Sequence, residues 1–240
     1  MDNNILNLQK SKDYNHKKLR ALFHECSQFI GNQHCMYIEA IIGFNSIHDH
    51  VKNHQAHMKE LLGGCEVTEE DFMNQCGMTY KEICGRDITP MSMSPLPTQG
   101  ELVERNKPGG LNEITLGQQT IVAIFSYWEK HLRFELAKGL GFINEDAKND
   151  KKGQEIVSKK VKDDFWADLM YLRRAIVHHG GRASDQCIKK CEIFTHLKKD
   201  EIIFLPYEIL RKIFLQLAIY RNKIHELSFS PNTIRINPLK

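Results

Sequence analysis

The sequence predicts a mainly all-α fold, with a small β-hairpin near residues 191–205 and additional helices ahead of the principal helical region. Three observations carry this. Apolar residues recur at three- and four-residue spacing over most of the 240-residue chain. Glycines, prolines and polar cap residues punctuate those stretches. Only two short segments, both late in the chain, read as strands.

The elements follow in order. Leu19, Leu22, Phe23, Cys26, Phe29 and Ile30 share one helical face, and Met36, Ile38, Ile41, Ile42, Ile47 and Val51 continue it after an expected break at Gly31-Asn32. Gly63 and Gly64 end that region. A shorter helix is expected from about Glu69 to Cys84, with Thr68 as its N-cap. The spans Thr89 to Pro97 and Lys107 to Gly110 are rich in Pro, Gly and Ser and read as irregular, marking a soft domain boundary. Residues 1–100 are therefore expected to be an N-terminal helical region with its linker, 101–230 a helical domain and 231–240 an extended tail. Thr115 or Thr120 is a candidate cap for a long helix carrying Ile121, Ile124, Phe125, Trp128, Leu132 and Leu136, ended near Gly139 or Gly141. Glu192 to His196 and Glu201 to Leu205 read as the two limbs of the hairpin. Pro206 suits the first turn of a last helix with Ile209, Ile213, Phe214, Leu217 and Tyr220 on its apolar side, and residues from Ser228 onward read as extended.

One stretch offers chemistry. Phe165, Leu169, Leu172 and Ile176 recur at helical spacing, widened by Trp166, Met170 and Val177, and the helix they define carries Arg173, Arg174, His178 and His179 before Gly180 and Gly181. The glycines suit a left-handed cap, which puts the histidines at the negative end of the helix dipole, where positive charge is favoured. Histidine beside a guanidinium that keeps its proton is an acid/base pair fitted to reactions that build charge on phosphate oxygens. Arg174 and His178 are four apart and share a face. Arg173 and His178, five apart, meet only if the last turn unwinds or a second chain completes the site. The same residues also fit a purely structural helix end, with Arg173 bonded to carbonyls or a carboxylate and His178 capping the terminus.

Arg173-Arg-Ala-Ile-Val-His178 resembles the arginine, four residues, histidine motif of the HEPN superfamily. Its surroundings from Asp168 to Gly180, and the upstream stretch Ile124 to Arg133 with Trp128-Glu129, are similar as well, over about residues 115–228. The resemblance implies a helical bundle that pairs two-fold and a metal-independent endoribonuclease that needs no cofactor, in a toxin or antiphage defence setting. It implies Arg173 and His178 as catalytic, with Arg174, His179 and Glu129 in support, and RNA, a homodimer partner and an antitoxin or effector protein as partners. Other HEPN domains are non-catalytic modules that bind RNA, nucleotide or protein, and the resemblance admits that reading too. This chain departs from the pattern at Arg174, where a small polar Asn or Asp is usual. The extra cation strengthens phosphate binding and pushes electrostatically on His178.

Composition sets outer bounds. At 41% apolar the chain can bury a sizeable core. It has no apolar run near the roughly twenty residues of a membrane span and no hydrophobic secretion signal, so no membrane partner and a cytoplasmic location are expected. Seven cysteines without a Cys-x-x-Cys pair fit reduced thiols. A net charge of +3 does not announce nucleic acid by itself. Locally, Lys148, Lys151, Lys152, Lys159, Lys160 and Lys162 surround Gly153, and a basic loop there, Lys159, Lys160 and Lys162 above all, suits an RNA backbone. Asp146, Asp150, Asp163 and Asp164 equally make it ordinary solvated surface. No phosphate-binding glycine loop, dinucleotide fingerprint or nucleophile elbow occurs.

Other clusters have plain readings beside chemical ones. His50, His54 and His57, with His48, sit at helical spacing that suits a metal, yet also describe a polar surface, and no metal is expected. Cys187 and Cys191 read as a weak metal pair or as small packing residues. Glu129 can orient His178, pair with Arg173 or make a surface contact. Trp128 and Trp166 read as core before base-stacking platforms.

Overall fold

The structure, a computed structural model, describes residues 15–63, 69–86, 96–148, 150–161, 163–191 and 197–229. Mainly helical architecture is what it shows, and among the described residues there is no strand. Those up to His34 together with those from Gly117 onward form one compact unit, and those from Cys35 to Leu116 form the other.

Helix α1, His16–Leu61, runs without the break expected at Gly31-Asn32. Glycine costs a helix interior only about 1 kcal/mol. Gly31 is exposed, and the buried Leu19, Leu22, Cys26 and Ile30 before it and Tyr37 after it outweigh that cost.

In the second unit, α2 (Glu70–Gln75) and α3 (Tyr80–Cys84) replace the single helix expected from Glu69 to Cys84. Between them Gly77 bridges Thr98, the Met78 amide donates to the Pro97 carbonyl at 3.1 Å, and the Gln99 amide donates to the Cys76 carbonyl at 2.8 Å. Those bonds take backbone groups a continuous helix would need for itself. The cap expected at Thr68 lies outside the described residues. Between the two spans read as irregular, α4 (Gln99–Asn106) is opened by a capping box between Thr98 and Glu101. Val51, Met78, Leu102 and Val103 form the core of this unit, with Ile47, Tyr80 and Ile83 against them.

Helix α5, Leu111–Tyr127, starts ahead of both threonines proposed to cap it. Thr115 instead donates its hydroxyl to the Leu111 carbonyl at 2.8 Å, and the Glu113 carboxylate accepts the Gly109 amide at 2.6 Å at the helix start. A π-helical turn, Trp128–Leu132, leads into α6, Arg133–Gly139. In a regular α-helix apolar positions four apart drift by about 40° per step. The wider turn absorbs that drift, and Trp128, Leu132 and Leu136 are all buried. Gly141, at φ 72, ends the run as expected, with the Phe142 amide bonded back to the Ala137 carbonyl at 2.9 Å.

The stretch expected as a basic loop is helix α7, Lys151–Lys160, because Asp150 caps it by accepting the Gly153 amide. Helices α8 (Asp164–His178) and α9 (Asp185–Lys190) pack together. The first limb of the expected hairpin lies outside the described residues, and the second is not a strand. Residues 200–203 pair briefly with 181–183 instead: Arg182 bridges Ile202, the Ala183 amide donates to the Glu201 carbonyl and the Ile203 amide to the Gly181 carbonyl. Helix α10, Tyr207–Phe229, begins one residue after Pro206 and carries Ser228 and Phe229 in its last turn, where an extended tail was expected. The tail from residue 230 lies outside the described residues. Trp128 and Trp166 stack at 4.2 Å with planes 1° apart, and Tyr220 meets both rings edge-on, so the π turn, α8 and α10 share one aromatic centre.

Candidate functional site

The sequence builds α8 from both ends. Asp163, extended at φ −161, accepts the Phe165 amide at 3.0 Å and so holds the first turn. Trp166, Leu169, Leu172 and Ala175 bury one face. At the other end the His179 amide donates to the Ala175 carbonyl and the Gly181 amide to the Ile176 carbonyl at 3.1 Å, with Gly180 and Gly181 at φ 59 and 75. This is a Schellman closure, in which the left-handed residue satisfies carbonyls the helix leaves open. Gln118 fastens it from α5, because its Nε2 donates to the Gly181 carbonyl at 3.2 Å and the Ile203 carbonyl at 3.1 Å.

This end is open to solvent. Arg174, Val177, His178 and His179 are exposed, Val177 at 47%. At about 100° per residue, Arg174 and His178 lie about 40° apart around the axis, whereas Arg173 and His178 lie about 140° apart. The last turn stays helical through His178, so one chain presents Arg173 and His178 on different faces. Arg173 is half-buried, and its Nε is enclosed without a hydrogen-bond partner. Neither the carbonyl or carboxylate bond of the purely structural reading nor an ion pair reaches Arg173 among the described residues. The Arg174 guanidinium lies 6.0 Å from the Tyr171 ring centroid, at the outer limit of a cation–π contact, and has no carboxylate partner there.

No family model, curated protein or solved structure matches the chain. The site therefore rests on its own geometry.

Glu129 sits half-buried in the π turn. Its carboxylate makes no hydrogen bond to Arg173 or His178 among the described residues. Its charge acts on Arg133, one turn along, where burial lowers the guanidinium from its ordinary value and Tyr220 and Glu129 oppose that effect. Arg133 itself donates to the Val161 and Ser158 carbonyls, at 2.9 and 3.2 Å, tying the end of α7 to α6. Of the lysines, Lys159 pairs with Glu155 at 2.9 Å, Lys160 is exposed, and Lys162 lies outside the described residues. Among the described residues no three His, Cys, Asp or Glu side chains converge as metal ligands, and His48 pairs with Asp49.

Two residues were not found by reading the motif. Gln118 stands 63 positions from the glycine it holds, and no local pattern announces such a contact. Arg182, directly after the glycines, is exposed with Nη1 bonded to the Asp200 carbonyl at 2.8 Å. It adjoins Arg174, His178 and His179 as a further guanidinium, and the signal for it was the sequence itself, one residue past the cap.

Proposed function

We propose that this chain is a metal-independent endoribonuclease of HEPN type, acting as a homodimer on single-stranded or looped RNA. The observation that carries the reading is His178 exposed on one face with Arg174 at a helix end fixed by its glycine closure, with His179 and Arg182 adjoining. A rigid, solvent-facing set of cations and imidazoles suits a backbone phosphate.

In this mechanism His178 takes the proton from a ribose 2′-hydroxyl, whose oxygen attacks the adjacent phosphorus. The bond to the 5′-oxygen breaks, and that oxygen receives a proton from the imidazolium of the second subunit, leaving a 2′,3′-cyclic phosphate and a 5′-hydroxyl. Arg173 stabilises the crowded anionic phosphate, and Arg174 and His179 add phosphate contacts. The angular separation of Arg173 and His178 within one chain is what calls for the second copy. Such an activity belongs in the cytoplasm beside its RNA, under the control of an antitoxin or effector protein in a defence setting. The half-burial of Arg173 favours a second reading, a non-catalytic module that binds RNA, nucleotide or protein on this face.

Purified wild type and His178→Ala, incubated with total RNA and a labelled oligonucleotide in EDTA, separate the two. Cleavage to cyclic-phosphate ends is expected for wild type, falling about 10²–10⁴-fold in His178→Ala and in Arg173→Ala. Cleavage that survives both changes, or that needs a divalent metal, overturns the ribonuclease. Intact RNA that is bound by wild type and released by Arg174→Ala establishes the module.

A further inference from the structure

A second chemical feature lies where α9 packs against α8. Cys187 lies within α9 and Cys191 caps its C-terminal end, and their sulfurs stand 3.7 Å apart, with one thiol hydrogen shared between them. The Cys191 thiol also reaches the Asp168 carbonyl of α8 at 3.5 Å. The two cysteines are 0% and 5% exposed. The Cys191 amide still donates to the Cys187 carbonyl at 2.9 Å, so the two α-carbons keep the one-turn separation of about 6 Å, inside the span a disulfide bridges.

We propose that Cys187 and Cys191 are a two-thiol redox site that closes to an intrahelical disulfide when the protein meets a hydroperoxide. Bond formation draws the sulfurs together by about 1.7 Å, and because β-carbons one helical turn apart stand about 5–6 Å from each other while a disulfide holds them about 4 Å apart, it unwinds the last turn of α9. The two thiols are chemically unequal. The hydrogen bond from Cys191 draws the Cys187 thiol below its ordinary value against the opposing effect of burial. The same bond, with burial, pushes Cys191 up. The Asp168 carbonyl holds the Cys191 hydrogen and leaves Cys187 free to lose its own, so Cys187 is the attacking sulfur and Cys191 the resolving one.

The steps balance. The Cys187 thiolate attacks one peroxide oxygen, the S–O bond forms, the O–O bond breaks, and the leaving hydroxide takes the proton that Cys187 released. The Cys191 sulfur then attacks the sulfenic sulfur, forming the S–S bond and expelling hydroxide, which leaves as water with the Cys191 proton. Two thiols are oxidised, one hydroperoxide is reduced, and with hydrogen peroxide two waters form. Access comes through α9 itself. It is a six-residue helix with a single buried side chain, Cys187, and short elements so lightly held open locally far below the free energy of global unfolding. Closure removes the thiol donor from the Asp168 carbonyl and so acts on the packing of α9 against α8.

The test is direct because Lys189 and Lys190 lie between the cysteines, and trypsin separates them onto two peptides. The native full-length chain is treated with hydrogen peroxide, alkylated in denaturant and digested. The expected result is a Cys187–Cys191 peptide pair that comes apart on reduction and appears before linkages through the exposed Cys35 and Cys84. In Cys191→Ser, Cys187 is expected to accumulate a sulfenic acid that dimedone traps; in Cys187→Ser, Cys191 is expected to label at least tenfold more slowly. Recovery of both cysteines as free thiols while Cys35 and Cys84 are oxidised overturns the site. Equal labelling in the two single variants overturns the assignment of roles.

Discussion

At Gly180 and Gly181 two adjacent residues share a backbone conformation and differ in surroundings, which makes them a measurement of what holds the end of α8. A methyl group at Gly180 meets nothing within contact distance, so alanine there carries only the left-handed penalty, about 1 kcal/mol. At Gly181 the same methyl comes within 2.5 Å of Gln118 Oε1, and that side chain cannot swing away without giving up its bonds to the Gly181 and Ile203 carbonyls. Gly181→Ala is therefore expected to cost about 2–3 kcal/mol and Gly180→Ala about 1 kcal/mol, read as shifts in urea midpoint. Equal costs would show that Gln118 is no clasp. The glycines were legible because a left-handed closure is one of the common ways a helix ends, and few residues other than glycine serve in it. The clasp was not, since it is made by the tertiary approach of α5. The faces of Arg174 and His178 followed from spacing alone. The half-burial of Arg173 depends on what packs beside α8, which spacing does not encode.

Between elements, Lys18 of α1 and Lys138 of α6 both reach Glu135, at 2.8 and 3.3 Å, and the Asn15 amide donates to the Gly139 carbonyl at 2.8 Å. Burial opposes ionisation of Glu135, but the hydrogen bonds and charges of the two ammonium groups outweigh it and hold the carboxyl below its ordinary 4.5. The folded chain thus favours the charged carboxylate more than the unfolded chain does. The resulting stability is complete above the unfolded value, about pH 4.5, and is lost as pH falls through the lower folded value. Melting temperatures of wild type and Glu135→Gln are expected to differ at about pH 6 and to converge on acidification. A gap that persists unchanged would mean that the glutamine loses packing and not charge. At this scale the long apolar periods of α1, α8 and α10 were readable, because each buries one continuous stripe. Helix α4 was hidden among prolines and glycines, although Thr98 and Glu101 spelled its capping box. The separation of α2 from α3 depends on Gly77 and Thr98, twenty-one positions apart, and no window along the chain contains that bridge.

For the molecule as a whole, the two units differ in how much apolar surface they bury. The unit from Cys35 to Leu116 rests on a small cluster in which Leu102 is wholly enclosed among Val51, Met78, Val103 and their neighbours. The other unit has the Trp128, Trp166 and Tyr220 stack together with the buried stripes of α5, α8 and α10. Smaller cores open at lower free energy, so amides of α3 and α4 are expected to exchange hydrogen faster than those of α8 and α10 in the native protein. Leu102→Ala removes atoms from the middle of the smaller cluster and leaves a cavity, at a cost of about 3 kcal/mol. That cost is expected to speed exchange in α3 and α4 about a hundredfold, because every side chain in the Leu102 cluster belongs to that unit, while protected amides of α8 and α10 keep their wild-type rates. Acceleration of all four helices by the same factor would mean that the chain opens as a single cooperative body, and that α1 and α5, which contribute residues to both units, transmit the loss in full.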